Sequence, residues 1–163
     1  MGEDEAGGQE MSIEIKDNSA AVIANMQAGV ERALEIIGGN AETYAKALCP
    51  VDTGLLRNSI THVAGGATVQ KNYSADHGEQ RGSISGQAPK DEEGQYTVYV
   101  GTNVSYSIFV ELGHRQEVGR YVKALGKRLK KEKVEARPFI RPAIENHTEE
   151  YNRIFKNEVK PNQ

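Results

Sequence analysis

Asp52, Thr53 and Gly54 are the residues with the clearest chemical reading, because an Asp-Thr-Gly tripeptide can supply one of the two carboxylates that share a proton in an aspartic protease. Those carboxylates must face each other for their pKa values to separate, so a chain of 163 residues would have to dimerise to bring two copies together. The tripeptide should also follow an apolar strand that holds the Asp rigidly. Here it follows a helical pattern and Cys49-Pro50, and Leu55-Leu56-Arg57 comes next. Turn chemistry accounts for the same three residues with fewer conditions: Asp52 or Thr53 caps the next helical turn, and Gly54 supplies backbone freedom.

Other routes to chemistry close quickly. His62, His77, His114 and His147 form no recognisable ligand set; Glu111 and His114 have helical spacing, but Gly113 lies between them and no second pair accompanies them. The single cysteine, Cys49, excludes a disulfide framework and a four-thiolate metal site, and beside a helix end and a proline it reads as a small buried hydrophobe. No Walker loop, dinucleotide glycine fingerprint or Gly-x-Ser-x-Gly elbow occurs. The sequence therefore predicts no catalytic residue, no metal and no cofactor.

Charge gives a different candidate. Between Arg115 and Arg137 stand nine basic residues against Glu117, Glu132 and Glu135, a local charge of +6 in a chain whose total is −3. Tyr121, Val122, Leu125 and Leu129 share one helical face, so a basic amphipathic helix is expected despite Gly119 and Gly126. One reading is a solvated face. The other is contact with phosphates or with a protein partner through Arg120, Lys123, Lys127, Arg128, Lys130 and Lys131. Such phosphate contact would be salt-dependent and sequence-blind, since Tyr121 alone interleaves.

The elements that would position these groups follow from periodicity. Residues 1–10 carry Glu3, Asp4, Glu5 and Glu10 without a positive charge or a large aliphatic side chain, apart from Met1, so 1–18 reads as a flexible acidic tail, with Met11 an alternative start. From Ser19 the apolar positions Met26, Val30, Leu34, Ile37, Ala41, Tyr44 and Leu48 describe one long helix that crosses Gly38-Gly39 and stops at Pro50. A short helical turn at Leu55 to Arg57 and a strand at Ser59 to Val63 follow. The stretch 65–95 is glycine-rich and polar and reads as a long loop or a weak hairpin pairing Ala67–Val69 with Ser83–Ser85. Tyr96 to Val100 is the best strand; Ser105 to Leu112 reads as a short buried helix with Gly113 at its C-terminal cap. Pro142 suits the first turn of a closing helix bearing Ile144, His147, Tyr151, Ile154 and Phe155. The expected architecture is α+β: one domain over 19–159, a small antiparallel sheet packed by the N- and C-terminal helices, a basic insertion at 115–137 and a tail at 160–163. No run approaches a membrane helix, and hydrophobic residues at 37% with no Trp and three Phe leave a modest core.

Three separated stretches together resemble a known family. Cys49 to Ile60 (CPVDTGLLRNSI), Val98 to Gly113 (VYVGTNVSYSIFVELG) and Ala136 to Glu145 (ARPFIRPAIE) look like the tailed-phage tail components named after gene product ten of phage HK ninety-seven. The resemblance implies a non-enzymatic structural virion protein of the phage neck. It would join head to tail, as a connector or as a tail-completion or terminator protein, and would assemble in the host bacterial cytoplasm. It implies a ring of identical subunits, a hexamer ahead of a dodecamer, meeting neighbouring neck, connector or tail-tube proteins, with non-specific contact to genomic DNA in the lumen. Asp52, Thr53 and Gly54 would then shape the helix-to-strand turn, with Arg57 pairing with Asp52 or a neighbour. Tyr106, Phe109 and Glu111 would set the short helix against the sheet, Gly113 would end it, and Pro138, Phe139 and Pro142 would orient the last helix. The alternative from another class is a nucleic-acid-binding module that uses 115–137.

Overall fold

The computed structural model describes residues 17–90, 96–123 and 126–160. The acidic segment 1–10, residues 91–95 of the polar stretch, Leu125 and the end 161–163 lie outside the described residues.

Helix α1 (Ser19–Leu48) runs unbroken through Gly38-Gly39 and ends where Cys49, preceding Pro50, turns extended at ψ 125°. Its expected apolar row is covered in the middle, with Ala41 buried and Val30, Leu34, Ile37 and Tyr44 half-buried, but the closest packing falls on small residues beside it and the two ends of the row are open. Gly29, Ala33, Gly38, Ala41 and Ala45 are buried, whereas Met26 and Leu48 are exposed. The small residues let neighbours come close: a Cβ on Gly38 would lie 2.6 Å from Val98 Cγ2 and 2.7 Å from the His62 ring. A helical glycine costs about 1 kcal/mol relative to Ala, and here that cost is offset by the close seat of the strands.

Those strands are β1 (Thr61–Ala64) and β4 (Val98–Gly101), antiparallel with Thr61 opposite Gly101 and Ala64 opposite Val98. They are joined to α1 through α2 (Leu55–Ser59). Between them, β2 (Thr68–Ser74) and β3 (Arg81–Gln87) form a seven-pair hairpin, Thr68 opposite Gln87 through Ser74 opposite Arg81. The long polar loop is thus a hairpin over most of its described length, in a register that pairs Ser83 with Asn72 and Ser85 with Gln70. Its alternating half-buried and exposed positions explain why few aliphatics suffice.

Helix α3 (Ser107–Leu112) follows β4. It is not buried: Ile108, Phe109 and Leu112 are each more than half exposed. The described residues of the basic segment form no α-helix either. Beta pairs β5 (His114–Arg115) with β8 (Lys133–Val134) and β6 (Tyr121–Val122) with β7 (Lys127–Arg128) make one antiparallel arm. Bonds from Gln116 N–H to Glu132 O (2.8 Å) and Leu129 N–H to Arg120 O (2.9 Å) bridge the two pairs. Gly119 and Gly126 adopt φ of +89° and +61°, which L-residues avoid and which interrupt any helix there.

The closing helix is two helices, α4 (Ile140–Glu145) and α5 (Thr148–Glu158). The Thr148 hydroxyl bonds to the Glu145 carbonyl at 3.0 Å, and His147 leaves helical geometry to stack on Tyr44, with ring centroids 3.6 Å apart. Tyr44 also donates to Glu150 at 2.9 Å, so α5 is pinned to α1. Burial and Glu150 push the Tyr151 phenol up to about 12. Fully buried Phe139 and Ile60 centre a core completed by Ala45, Cys49, Leu56, Val104 and Ala143. The fold is α+β, with its strands in four two-stranded antiparallel ladders among the described residues instead of one sheet.

Candidate functional site

The Asp52-Thr53-Gly54 turn works through its backbone. Thr53 O accepts the N–H of Asp76 at 2.8 Å and of His77 at 3.3 Å, and its hydroxyl meets Gln80 Oε1 at 3.3 Å. Gly54, at φ +83°, is the cap of α2, which has no side-chain cap bond; the Asp76 carboxylate occupies the place where a Cβ would stand. The expected side-chain capping survives only as a long contact, the Leu55 N–H reaching Thr53 Oγ1 at 3.5 Å, with the left-handed glycine in the cap position itself. Arg57 pairs with Asp76, not Asp52, and Asn58 donates to Asp76 Oδ1 and Ser74 O, both at 2.8 Å. The tripeptide is a socket for the turn of the β2–β3 hairpin.

The second stretch is tied to the third by Glu111. Its carboxylate accepts the backbone N–H groups of Phe139 (2.7 Å), Ile140 (3.1 Å) and Arg141 (3.0 Å), the open end of α4. Arg137 N–H donates to Val110 O at 2.8 Å beside it. Phe139 is thereby driven into the core, Pro142 sits within the first turn of α4, and Pro138 is exposed. Gly113 ends α3 at φ +70° with no room for a side chain: a Cβ would lie 2.6 Å from Val134 O. Composition and periodicity gave no sign of the Glu111 contact; a carboxylate 28 residues before the first N–H it accepts is a purely tertiary pairing.

Between the turn, α3 and the base of the arm lies an open cavity of about 730 Å³. Pro50, Val51, Leu55, Tyr106, Phe109 and Val134 give it an apolar floor, and Lys131, Lys133 and Arg137 stand on its rim. Val51, Tyr106 and Phe109 are exposed, though the partial burial that Tyr106 retains lifts its phenol above its usual range. His114 Nδ1, buried at this wall, has no hydrogen-bond partner among the described residues. Behind the floor, burial raises the Cys49 thiol to about 11, against the lowering pull of Arg57, which keeps it protonated and unreactive at neutral pH.

The expected contact residues of the basic segment are all on the arm. Arg120, Lys123, Lys127, Arg128, Lys130 and Lys131 are exposed, and Arg128 donates to Gly119 O at 2.7 Å. Among the described residues no carboxylate pairs with Lys127, Lys130 or Lys131, and no cluster of three or more His, Cys, Asp or Glu could hold a metal.

No curated protein and no solved structure matches the chain. A family model does: the one for bacteriophage HK97-gp10 tail components matches residues 9–113, which span the long helix, the socket turn, the hairpin and α3. The chain belongs to the HK97-gp10-like family of bacteriophage tail components and is accordingly virion-associated.

Proposed function

We propose that the chain is a structural, non-enzymatic protein of the phage neck that joins head to tail as a homo-oligomeric ring. Family membership supplies the tail assignment. The observation that carries the ring is the amount of large apolar side chain left in solvent: Ile108, Phe109 and Leu112 on α3 and Val51 beside the socket are each more than half exposed on a chain with a thin core. A subunit that completes its burial against neighbours explains both features. A connector, a tail-completion protein and a tail terminator share this description, and hexamers are the favoured ring.

The test is particle assembly without this chain. DNA-filled heads and unjoined or overlong tails, restored by supplying the protein, are expected; normal virions in its absence would defeat the reading.

A second reading rests on the arm. Its exposed Lys127, Lys130 and Lys131, which pair with no carboxylate among the described residues, form a cationic ribbon suited to phosphate, which fits DNA passing through a ring lumen or duplex binding by the free protein. Salt-dependent binding of short duplexes by the purified monomer would favour the latter.

A further inference from the structure

The tip of the arm is open on nearly all sides. Between 117 and 133 every described residue except Val122 and Leu129 is exposed. Residues 120–131 carry six basic side chains and no acidic one, and among the described residues none of the six pairs with a carboxylate. Its two strands form a ribbon with distinct faces, because neighbouring residues on a strand point to opposite sides. Tyr121 stands opposite Arg128 on one face, and Val122 opposite Lys127 on the other. The half-buried Val122 belongs to the second face; the first is open, with Tyr121 56% exposed.

The ribbon is also bent. Gly119 N–H donates to Leu129 O at 2.8 Å and Leu129 N–H to Arg120 O at 2.9 Å, so two residues of one strand oppose one of the other. Gly119 at φ +89° makes this a glycine bulge, which adds local twist to the strand pair. A two-stranded ribbon is one of the elements that the major groove of B-form DNA admits, at a width of roughly 12 Å. The cations supply the electrostatic part, since phosphates line the walls of that groove. Arg128 is already held beside Tyr121, its guanidinium donating to Gly119 O at 2.7 Å. An acidic protein surface would answer the charge alone; a DNA groove answers the charge and the ribbon form together.

We propose that the arm tip enters the major groove of duplex DNA, with the face of Tyr121 and Arg128 toward the bases and Lys127 and Lys130 on the phosphates of the groove walls. The inference rests on the second reading above and adds to it the form of nucleic acid and the groove.

The test compares binding of the full-length chain to a labelled DNA duplex of about 20 base pairs and to an RNA duplex of the same length, across about 50 to 200 mM salt. The two carry the same number of phosphates, but the major groove of A-form RNA is too deep and narrow to take a side chain. DNA is expected to bind more tightly at equal salt, by about tenfold. Tyr121→Ala, which removes no charge, should bring the DNA affinity toward that of RNA with the salt slope unchanged. Lys127→Gln with Lys130→Gln should lower the slope of log K against log salt by about 2. RNA bound as tightly as DNA, or DNA binding unaffected by Tyr121→Ala, would overturn the groove docking and leave the phosphate reading standing. No salt-dependent binding of either duplex would overturn both.

Discussion

Glu111 holds Phe139 in place: a carboxylate oxygen of the one accepts the backbone N–H of the other at 2.7 Å, and Phe139 is completely buried. Because the same carboxylate takes the next two N–H groups, it substitutes for the side-chain cap that α4 lacks. Glu111→Ala should therefore cost about 2 kcal/mol, in the range of a lost cap and of hydrogen bonds to a charged group. Glu111→Gln, which keeps an acceptor without the charge, should cost less. Urea unfolding reads both; equal stability of Glu111→Ala and wild type would remove the cap from the account.

Acid should loosen the strand side of α1. Burial alone would raise the Glu42 carboxyl, but hydrogen bonds from Lys46 and His62 and the charge of Lys71 outweigh it and bring the value down to about 2 from 4.5. A depressed folded pKa means that the unfolded chain binds more protons, so this stabilisation is complete above about pH 4.5 and is lost as pH falls toward about 2. Glu42→Gln should be less stable than wild type at pH 7, with the gap closing across that window. A gap that stays constant from pH 5 to pH 2 would contradict the linkage.

Gly113 joins α3 to the arm at a backbone geometry, φ +70° and ψ 175°, that is essentially restricted to glycine. Gly113→Ala should destabilise by about 1–3 kcal/mol from backbone strain, with further crowding at Val134 O. Hydrogen exchange should show the Gln116 and Leu129 amides losing protection before the core does. A variant with unaltered exchange in the arm would show that the junction tolerates a side chain.

Replacing Lys127, Arg128, Lys130 and Lys131 by Gln tests what the arm touches. If it lines a lumen and meets DNA, rings should still form and joined particles should leak genome; for the free protein, the slope of log K against log salt should fall by about 3–4. Intact assembly with unchanged retention would assign the arm to protein neighbours or to solvent.

Cys49 should resist alkylation. With its thiol at about 11 and its side chain buried, it should react with iodoacetamide at pH 8 at least tenfold more slowly in the native chain than in urea. Equal rates would place the thiol in solvent.

The sequence by itself determined the local elements and the family. The four-three stepping from Ser19 and the stop at Pro50 define α1, the alternation of Tyr96 to Val100 points to β4 within two residues, and two of the three motif stretches, Cys49–Ile60 and Val98–Gly113, lie inside the residues 9–113 that the family model matches. These are short-range signals, written in neighbours a few residues apart. What only the tertiary structure decided was which faces are covered. Hydrophobic period cannot tell a buried Gly38 from an exposed Met26, because burial depends on what arrives from elsewhere in the chain. The same holds for 115–137, where the apolar spacing fits a helix but pairing across the arm, with Gly119 and Gly126 at positive φ, makes it a ribbon. Arg57 finding Asp76 and Glu111 finding the end of α4 are long-range events of the same kind. The candidate cavity assembles from three such segments, Pro50–Leu56, α3 and the base of the arm, so no single stretch of sequence announces it.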